Sequence, residues 1–144
     1  MYAVYHGPEG LTRIADRAHA CAEVARAGLS QLGYSVDQDT IFDTIRIRTS
    51  DSEAIAEKAV AAGFNVRVME DGVGLSFDET STASHVDDVF SVFAAHAGAA
   101  APDAQQLLDS VDLEFPEGIA RQGTILQNPI FNSYQVRALQ QGAC

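Results

Sequence analysis

The chain has 144 residues and a single lysine, Lys58. Chemistry that runs through a lysine Schiff base therefore has one candidate amine. Lys58 lies midway along a short helical pattern, Ser50 to Ala62, outside its apolar stripe, and reads as solvent-facing. Cysteine is equally scarce. Cys21 falls on the apolar face of a helical pattern, and Cys144 is the last residue, where chains fray. Two such cysteines make no disulfide framework. Cys21 reads as a buried structural thiol, which suits a reducing cytoplasm. Basic residues are outnumbered, 9 against 20 acidic, and the net charge is -11. An acidic surface repels phosphates, which argues against nucleic acid and anionic membranes as partners. Long apolar runs are missing, so no transmembrane span is expected. The first residues have neither a basic nor an apolar region, so no signal peptide is expected.

What is present fits one domain with a real core: 47% of residues are hydrophobic. His6-Gly7-Pro8-Glu9 reads as a helix start. Pro8 suits the first helical position, and Glu9 suits the positive end of the dipole. Leu11, Ile14, Ala15, Ala18, Cys21, Ala22, Ala25, Leu29 and Leu32 then recur at three- and four-residue steps. That spacing predicts a long helix, about Pro8 to Leu32, with one apolar face. Arg13, Asp16, Arg17, Glu23 and Arg26 are assigned to the other face. Gly33 ends the helix.

Ile41 to Thr49 ends in alternation, with Ile45 and Ile47 on one face and Arg46 and Arg48 on the other, which predicts a strand with one buried face. Ser50 and Glu53 have the spacing of a capping box. Ile55, Ala56, Ala59 and Val60 form the stripe of the helix that follows, and Gly63 ends it. Val66 to Met69 predicts a second strand. Asp71-Gly72 is a hairpin signal, and Val73, Leu75 and Phe77 alternate along a third strand. Ser84 or a nearby threonine caps another helix, with Val86, Val89, Phe90, Phe93 and Ala97 inward and Asp87 and Asp88 in its first turn. Pro102 breaks the small-residue run Ala97 to Ala101, and Asp103 to Val111 predicts a short helix. Gln127 to Asn132 reads as a turn around Pro129 with apolar anchors beside it. This order implies an α+β fold: a two-layer sandwich of a small mixed or antiparallel sheet with helices on one face.

Candidate chemistry is sparse. His85 with Asp87 and Asp88 offers metal-ligand residue types, but acids near a helix start more often serve as caps and dipole partners. Asp78 and Glu79 form the most polar knot. Neighbours in an extended chain point to opposite sides and do not readily share one substrate, so a strand end leading into a capped helix explains them. The remaining histidines, His6, His19 and His96, show no paired ligand spacing. Gly7, Gly10, Gly28 and Gly33 form no phosphate cradle, and no serine sits in a nucleophile elbow. No residue is assigned a catalytic, cofactor-binding or metal-binding role.

Four segments carry a resemblance. Met1 to Leu11 (MYAVYHGPEGL), Phe42-Asp43-Thr44, Phe77-Asp78-Glu79-Thr80 before a Thr/Ser cluster, and Pro129 to Tyr134 (PIFNSY) resemble, in order and interval, the P-protein of the glycine cleavage system, glycine dehydrogenase (decarboxylating). The resemblance covers about nine tenths of the chain. It implies a piece of a large enzyme that uses pyridoxal phosphate (PLP), decarboxylates glycine and passes the aminomethyl group to the lipoyl arm of the H-protein. The cofactor lysine of that family lies in the half further along. Residues 1–134 resemble the small C-terminal domain of the first half, which is similar to the α+β small domain of fold-type-I PLP enzymes. Met1 resembles an internal methionine, and residues 135–144 do not match, so a weakly ordered foreign tail is expected there.

Three readings follow: a structural fragment of that enzyme, silent on its own and completed by the rest of the P-protein and lipoylated H-protein; a free-standing α+β binding or protein-interaction module; or a lone enzyme using Asp78–Glu79 or a histidine. An isolated piece is expected to form a homo-oligomer through an apolar surface left bare, with Ile125 to Tyr134 the leading candidate.

Overall fold

The structure, a computed structural model, describes residues 1–36, 39–115, 118 and 120–133. The expected tail, 135–144, and Tyr134 lie outside the described residues.

Helix α1 spans Tyr2–Gln31 but is interrupted at Gly7, whose φ of 66° and ψ of -179° only glycine adopts without strain. Pro8 then opens the main run, as its missing N–H predicts. The sequence reading missed the helical turn before Gly7, which Met1 starts by accepting from the N–H groups of Val4 and Tyr5, both at 3.1 Å. At the other end the Tyr34 N–H reaches the Leu29 carbonyl (3.0 Å) and the Gly33 N–H reaches that of Ser30 (3.0 Å). With Gly33 at φ 87°, this is a Schellman stop.

The apolar stripe of α1 is buried from Ala18 onward, through Cys21, Ala22, Ala25 and Leu29, while Leu11, Ile14 and Ala15 are half-buried. Glu23 departs from the expected outer face: it is buried, and its carboxylate accepts from Arg26 Nε at 2.8 Å. One salt-bridged partner one turn on lets the charge lie against the core while Arg26 stays half-exposed.

Two strands follow, β1 (Ser35–Val36), which the sequence reading missed, and β2 (Thr44–Arg48). Helix α2 (Ser52–Ala61) leads to β3 (Arg67–Met69) and β4 (Gly72–Ser76). The sheet order is β1-β2-β4-β3, antiparallel at every pairing. Ile45 faces Leu75 and Ile47 faces Val73 across the two central strands, on the covered face. The opposite face carries Thr44, Arg46, Arg48, Arg67 and Ser76.

The hairpin turn is Glu70-Asp71, one residue earlier than expected, because Met69 pairs with Gly72. Both turn residues keep negative φ, so glycine is not needed in the turn. Gly72 is needed in the strand instead: a Cβ there would run into the Ile47 carbonyl. The Asp71 carboxylate reaches across to β2, to Arg46 Nη2 and to Arg48 Nη1 (2.9 Å). Those guanidinium groups hold Asp71 below the usual aspartate range, the Arg46 hydrogen bond most of all.

The capping box at Ser50 does not form. Helix α2 starts one residue later, with Asp51 as N-cap and no side-chain cap bond. The groups are engaged otherwise: the Ser50 hydroxyl donates to the Asp51 carboxylate (3.4 Å), which also meets His96 Nε2 (3.2 Å). Helix α3 (Ala83–Ala97) is capped by Thr82, whose hydroxyl accepts from His85 N–H at 3.4 Å. Val86, Val89, Phe90 and Phe93 are buried as expected; Ala97, at the last position, is exposed, and Asp87 and Asp88 fall in the second turn. Helix α4 (Ala104–Leu108) is capped by Asp103 at Gln106 N–H (2.9 Å).

Helix α5 (Ile130–Ser133) packs against α1. The segment expected to be left bare thus returns along the first helix: Ile125, Leu126 and Phe131 are half-buried, and Ile130 stays exposed. The reason is physical: α1 offers half-buried apolar residues in its first turns, and the returning chain covers them.

Helices α1 and α3 cross at Gly28, where a Cβ would penetrate the ring of the fully buried Phe90. Adding a methyl inside a filled core costs about 1–3 kcal/mol. Alanine regains at most about 1 kcal/mol of helix propensity over glycine. Gly28→Ala should therefore lower stability by about 1 kcal/mol or more in urea unfolding, and Phe90→Leu in that background should recover part of the loss. An unchanged midpoint for Gly28→Ala would place the helix crossing elsewhere.

Candidate functional site

The polar knot Asp78 to Ser81 follows β4 directly, anchored by Phe77 N–H to the Asp43 carbonyl at 2.9 Å. One carboxylate oxygen of Asp78 accepts from Thr80 N–H (2.8 Å), from Thr80 Oγ1 (2.7 Å) and from Ser81 Oγ (3.3 Å), and Ser81 Oγ accepts from Asp78 N–H (2.9 Å). These bonds favour the charged form, so Asp78 titrates below the usual aspartate range, the Thr80 hydroxyl being the largest cause. A carboxylate so engaged is an acceptor that closes a turn, not a proton donor near neutral pH.

The turn before Gly7 lies beside this knot, a juxtaposition that residue order does not reveal. Partial burial, then the carboxylates of Glu79 and Asp78, push the Tyr2 phenol above its ordinary value. A phenol raised from a normal near 10 stays protonated at neutral pH and serves as a hydrogen-bond donor. The ring of His6 packs on Tyr2 (4.3 Å between centroids) and on Tyr5 (4.8 Å, edge-on). Tyr2 and Tyr5 remain nearly half exposed.

The other histidines serve the frame. His19 is buried, donates Nδ1–H to the Phe42 carbonyl at 3.0 Å and stacks on Phe115 at 4.2 Å. It ties the loop before β2 and the segment after α4 to one face of α1. His85 is exposed near the start of α3, and Asp87 uses its carboxylate to cap Ala104 N–H at 2.9 Å, so α3 and α4 are joined rather than opened for a metal. Among the described residues no cluster of three or more His, Cys, Asp or Glu could hold a metal ion. Of the glycines weighed as a cradle, Gly7 breaks α1, Gly10 lies against His6, Gly28 admits Phe90 and Gly33 ends the helix.

An open cleft of about 610 Å³ lies between the start of α1 and the returning chain, lined by Pro8, Glu9, Arg13, Arg121, Thr124 and Ile125 among others. Lys58 is not among its lining residues and is exposed in the last turn of α2. A PLP site needs a shielded amine and donors gathered around a phosphate. The surroundings of Lys58 supply neither: Glu57, Val60, Ala61 and Ala62 are exposed with it. The surroundings of Lys58 do not fit that cofactor.

The depressed titration of Asp78 fixes a pH dependence. Its folded-state proton affinity is lower than in the unfolded chain, so it stabilises above the ordinary aspartate value, and that contribution is lost as pH falls through its lower folded value. Asp78→Ala should melt below the parent chain at neutral pH, and the gap should close on acidification through and below the usual aspartate range, followed by circular dichroism. A gap that persists unchanged in acid would mean that the charge of Asp78 does not hold the turn.

No helix of the described residues is long and apolar enough to cross a membrane. A family profile for the glycine cleavage system P-protein matches residues 1–93. The chain is 42% identical to glycine dehydrogenase (decarboxylating), mitochondrial, of Pisum sativum, over 94% of its own length and 13% of that protein's. It is 44% identical to the mitochondrial enzyme of the same name from Solanum tuberosum, over 93% of the chain and 13% of the relative. The corresponding protein of Gluconobacter oxydans (strain 621H) is 42% identical over 94% of the chain and 14% of the relative. The chain thus spans about one eighth of the length of these relatives. On the profile match and on identities above two fifths, the chain belongs to the glycine cleavage system P-protein family.

Proposed function

We propose that residues 1–134 act as one structural α+β unit of a PLP-dependent glycine dehydrogenase (decarboxylating), contributing shape and contacts but no reacting group. The observation that carries this reading is Lys58, the one lysine, exposed on α2 amid exposed neighbours. The engagement of Asp78 in its own turn supports it. In this reading the cofactor, the substrate glycine and the lipoylated H-protein are met by the rest of the enzyme, and the chain by itself is not an oxidoreductase. A buried Cys21 thiol suits a reducing setting such as the cytoplasm, while two of the relatives are mitochondrial by name.

Two measurements test this. PLP added to the isolated chain should leave no stoichiometric borohydride-trappable adduct, and glycine decarboxylation should be undetectable; a one-to-one adduct on Lys58 would overturn the reading. Conversely, residues 1–133 grafted in place of the matching stretch of the Gluconobacter enzyme should retain glycine decarboxylation. A folded graft without activity would favour the free-standing binding module.

We also propose that the isolated chain self-associates. Met1, Tyr2, Tyr5, Phe42 and Ile130 are exposed apolar or aromatic residues, of the kind a larger protein covers. The net charge of -11 opposes association, but screening at physiological salt limits repulsion to about 8 Å. Sedimentation at micromolar concentration should show a species heavier than 15.3 kDa. A clean monomer would remove the proposal.

A further inference from the structure

The face of the sheet that no helix of the described residues covers has a regular construction. At one register the row across three strands reads Arg46, Gly74, Arg67; at the next it reads Arg48, Gly72, Met69. The middle strand therefore contributes backbone where its neighbours contribute long side chains. Adjacent strands lie about 4.8 Å apart, so Arg46 and Arg67 stand about 10 Å apart across the glycine. The result is a shallow groove along β4. Its open floor is Gly74, with the Met69 methyl 3.5 Å from where a Cβ at Gly74 would stand, while Gly72 beside it is buried against the β2 backbone. Arginines rise on both sides.

Charge is distributed against the average. The chain carries 20 acidic and 9 basic residues, yet three of the nine are on this one face. Asp71, at the hairpin end, orients Arg46 and Arg48 without covering them: their side chains stay 40% and 53% exposed. Arg67 is exposed and, among the described residues, forms no ion pair. Arg67 can take a carboxylate two-pronged, Arg46 adds positive charge on the opposite wall although its Nη2 already meets Asp71 and its Nε is shielded, and a backbone-and-methyl floor accepts an apolar side chain between them.

We propose that this groove docks an acidic, partly apolar polypeptide segment, with carboxylates on Arg46 and Arg67 and an apolar residue over Gly74. A polypeptide is favoured over a nucleic acid because a continuous polyanion meets the repulsion of the whole chain, whereas a few spaced carboxylates meet only the groove. The inference stands apart from the glycine dehydrogenase reading, since neither Lys58 nor the graft enters it.

The test uses the full chain and a fluorescein-labelled ten-residue peptide alternating glutamate and leucine. The same peptide with lysine for glutamate, and a labelled single-stranded oligonucleotide of equal length, serve as comparisons. Saturable binding of the glutamate peptide alone, weakened by salt, with amide shifts at Arg46, Arg67 and Gly74, is the expected result. Arg67→Glu should weaken it by about tenfold or more, the size of a lost charge-assisted bond. Gly74→Leu should do the same by filling the floor. A Cβ at Gly74 meets only ordinary contacts and Arg67 is exposed, so both variants should keep the parent circular dichroism. Arg67→Gln serves if the charge reversal disturbs the sheet. Absence of saturable binding, equal binding of the lysine peptide, tighter binding of the oligonucleotide, or undiminished affinity in a folded variant would each overturn the proposal.

Discussion

The close approach of α1 and α3 at Gly28 and Phe90 is the constraint on which the rest depends. A helix position without a side chain lets an aromatic ring lie against backbone, so two helices share a depth that would otherwise hold one side chain each. Phe90 and Phe93 then reach the level of Ile45, Ile47 and Val73, and one core joins helices and sheet. Tyr34, just past the stop of α1, closes the same region by meeting the Phe93 ring edge-on at 5.0 Å and donating to its carbonyl at 3.2 Å.

Polar groups are used to fasten segments to this core. Buried His19 holds a loop carbonyl and a stacked phenylalanine, Asp78 closes the turn after β4, and Asp87 caps the helix after its own. Each is a titratable group of a type common in catalysis. Each directs hydrogen bonds at backbone or hydroxyl groups of the frame, so each acts as a fastener between segments. The open sheet face differs, because there the charged groups point away from the core.

Much of the frame was legible from residue order. The three- and four-residue spacing in α1, the alternation of Ile45 and Ile47 with Arg46 and Arg48, and the threonine cap of α3 all encode local geometry in neighbouring residues. Where reading by local pattern failed, a distant partner had intervened. The capping box of Ser50 and Glu53 does not form; the Ser50 hydroxyl donates to Asp51, whose carboxylate also meets His96, forty-five residues on. The hairpin moved by one residue because the sheet register pairs Met69 with Gly72.

The sequence by itself determined the α+β class, the helix and strand types, the antiparallel pair forced by the hairpin, and the family resemblance, since periodicity and short motifs are written in adjacent residues. Only the tertiary structure decided that Tyr2 meets Glu79, that residues 125–133 return to α1, and that Arg46 and Arg67 face each other across a glycine. Those juxtapositions arise from sheet register and helix packing. Neither can be read along the chain, because a one-residue slip in register would turn every side chain of a strand to the other face.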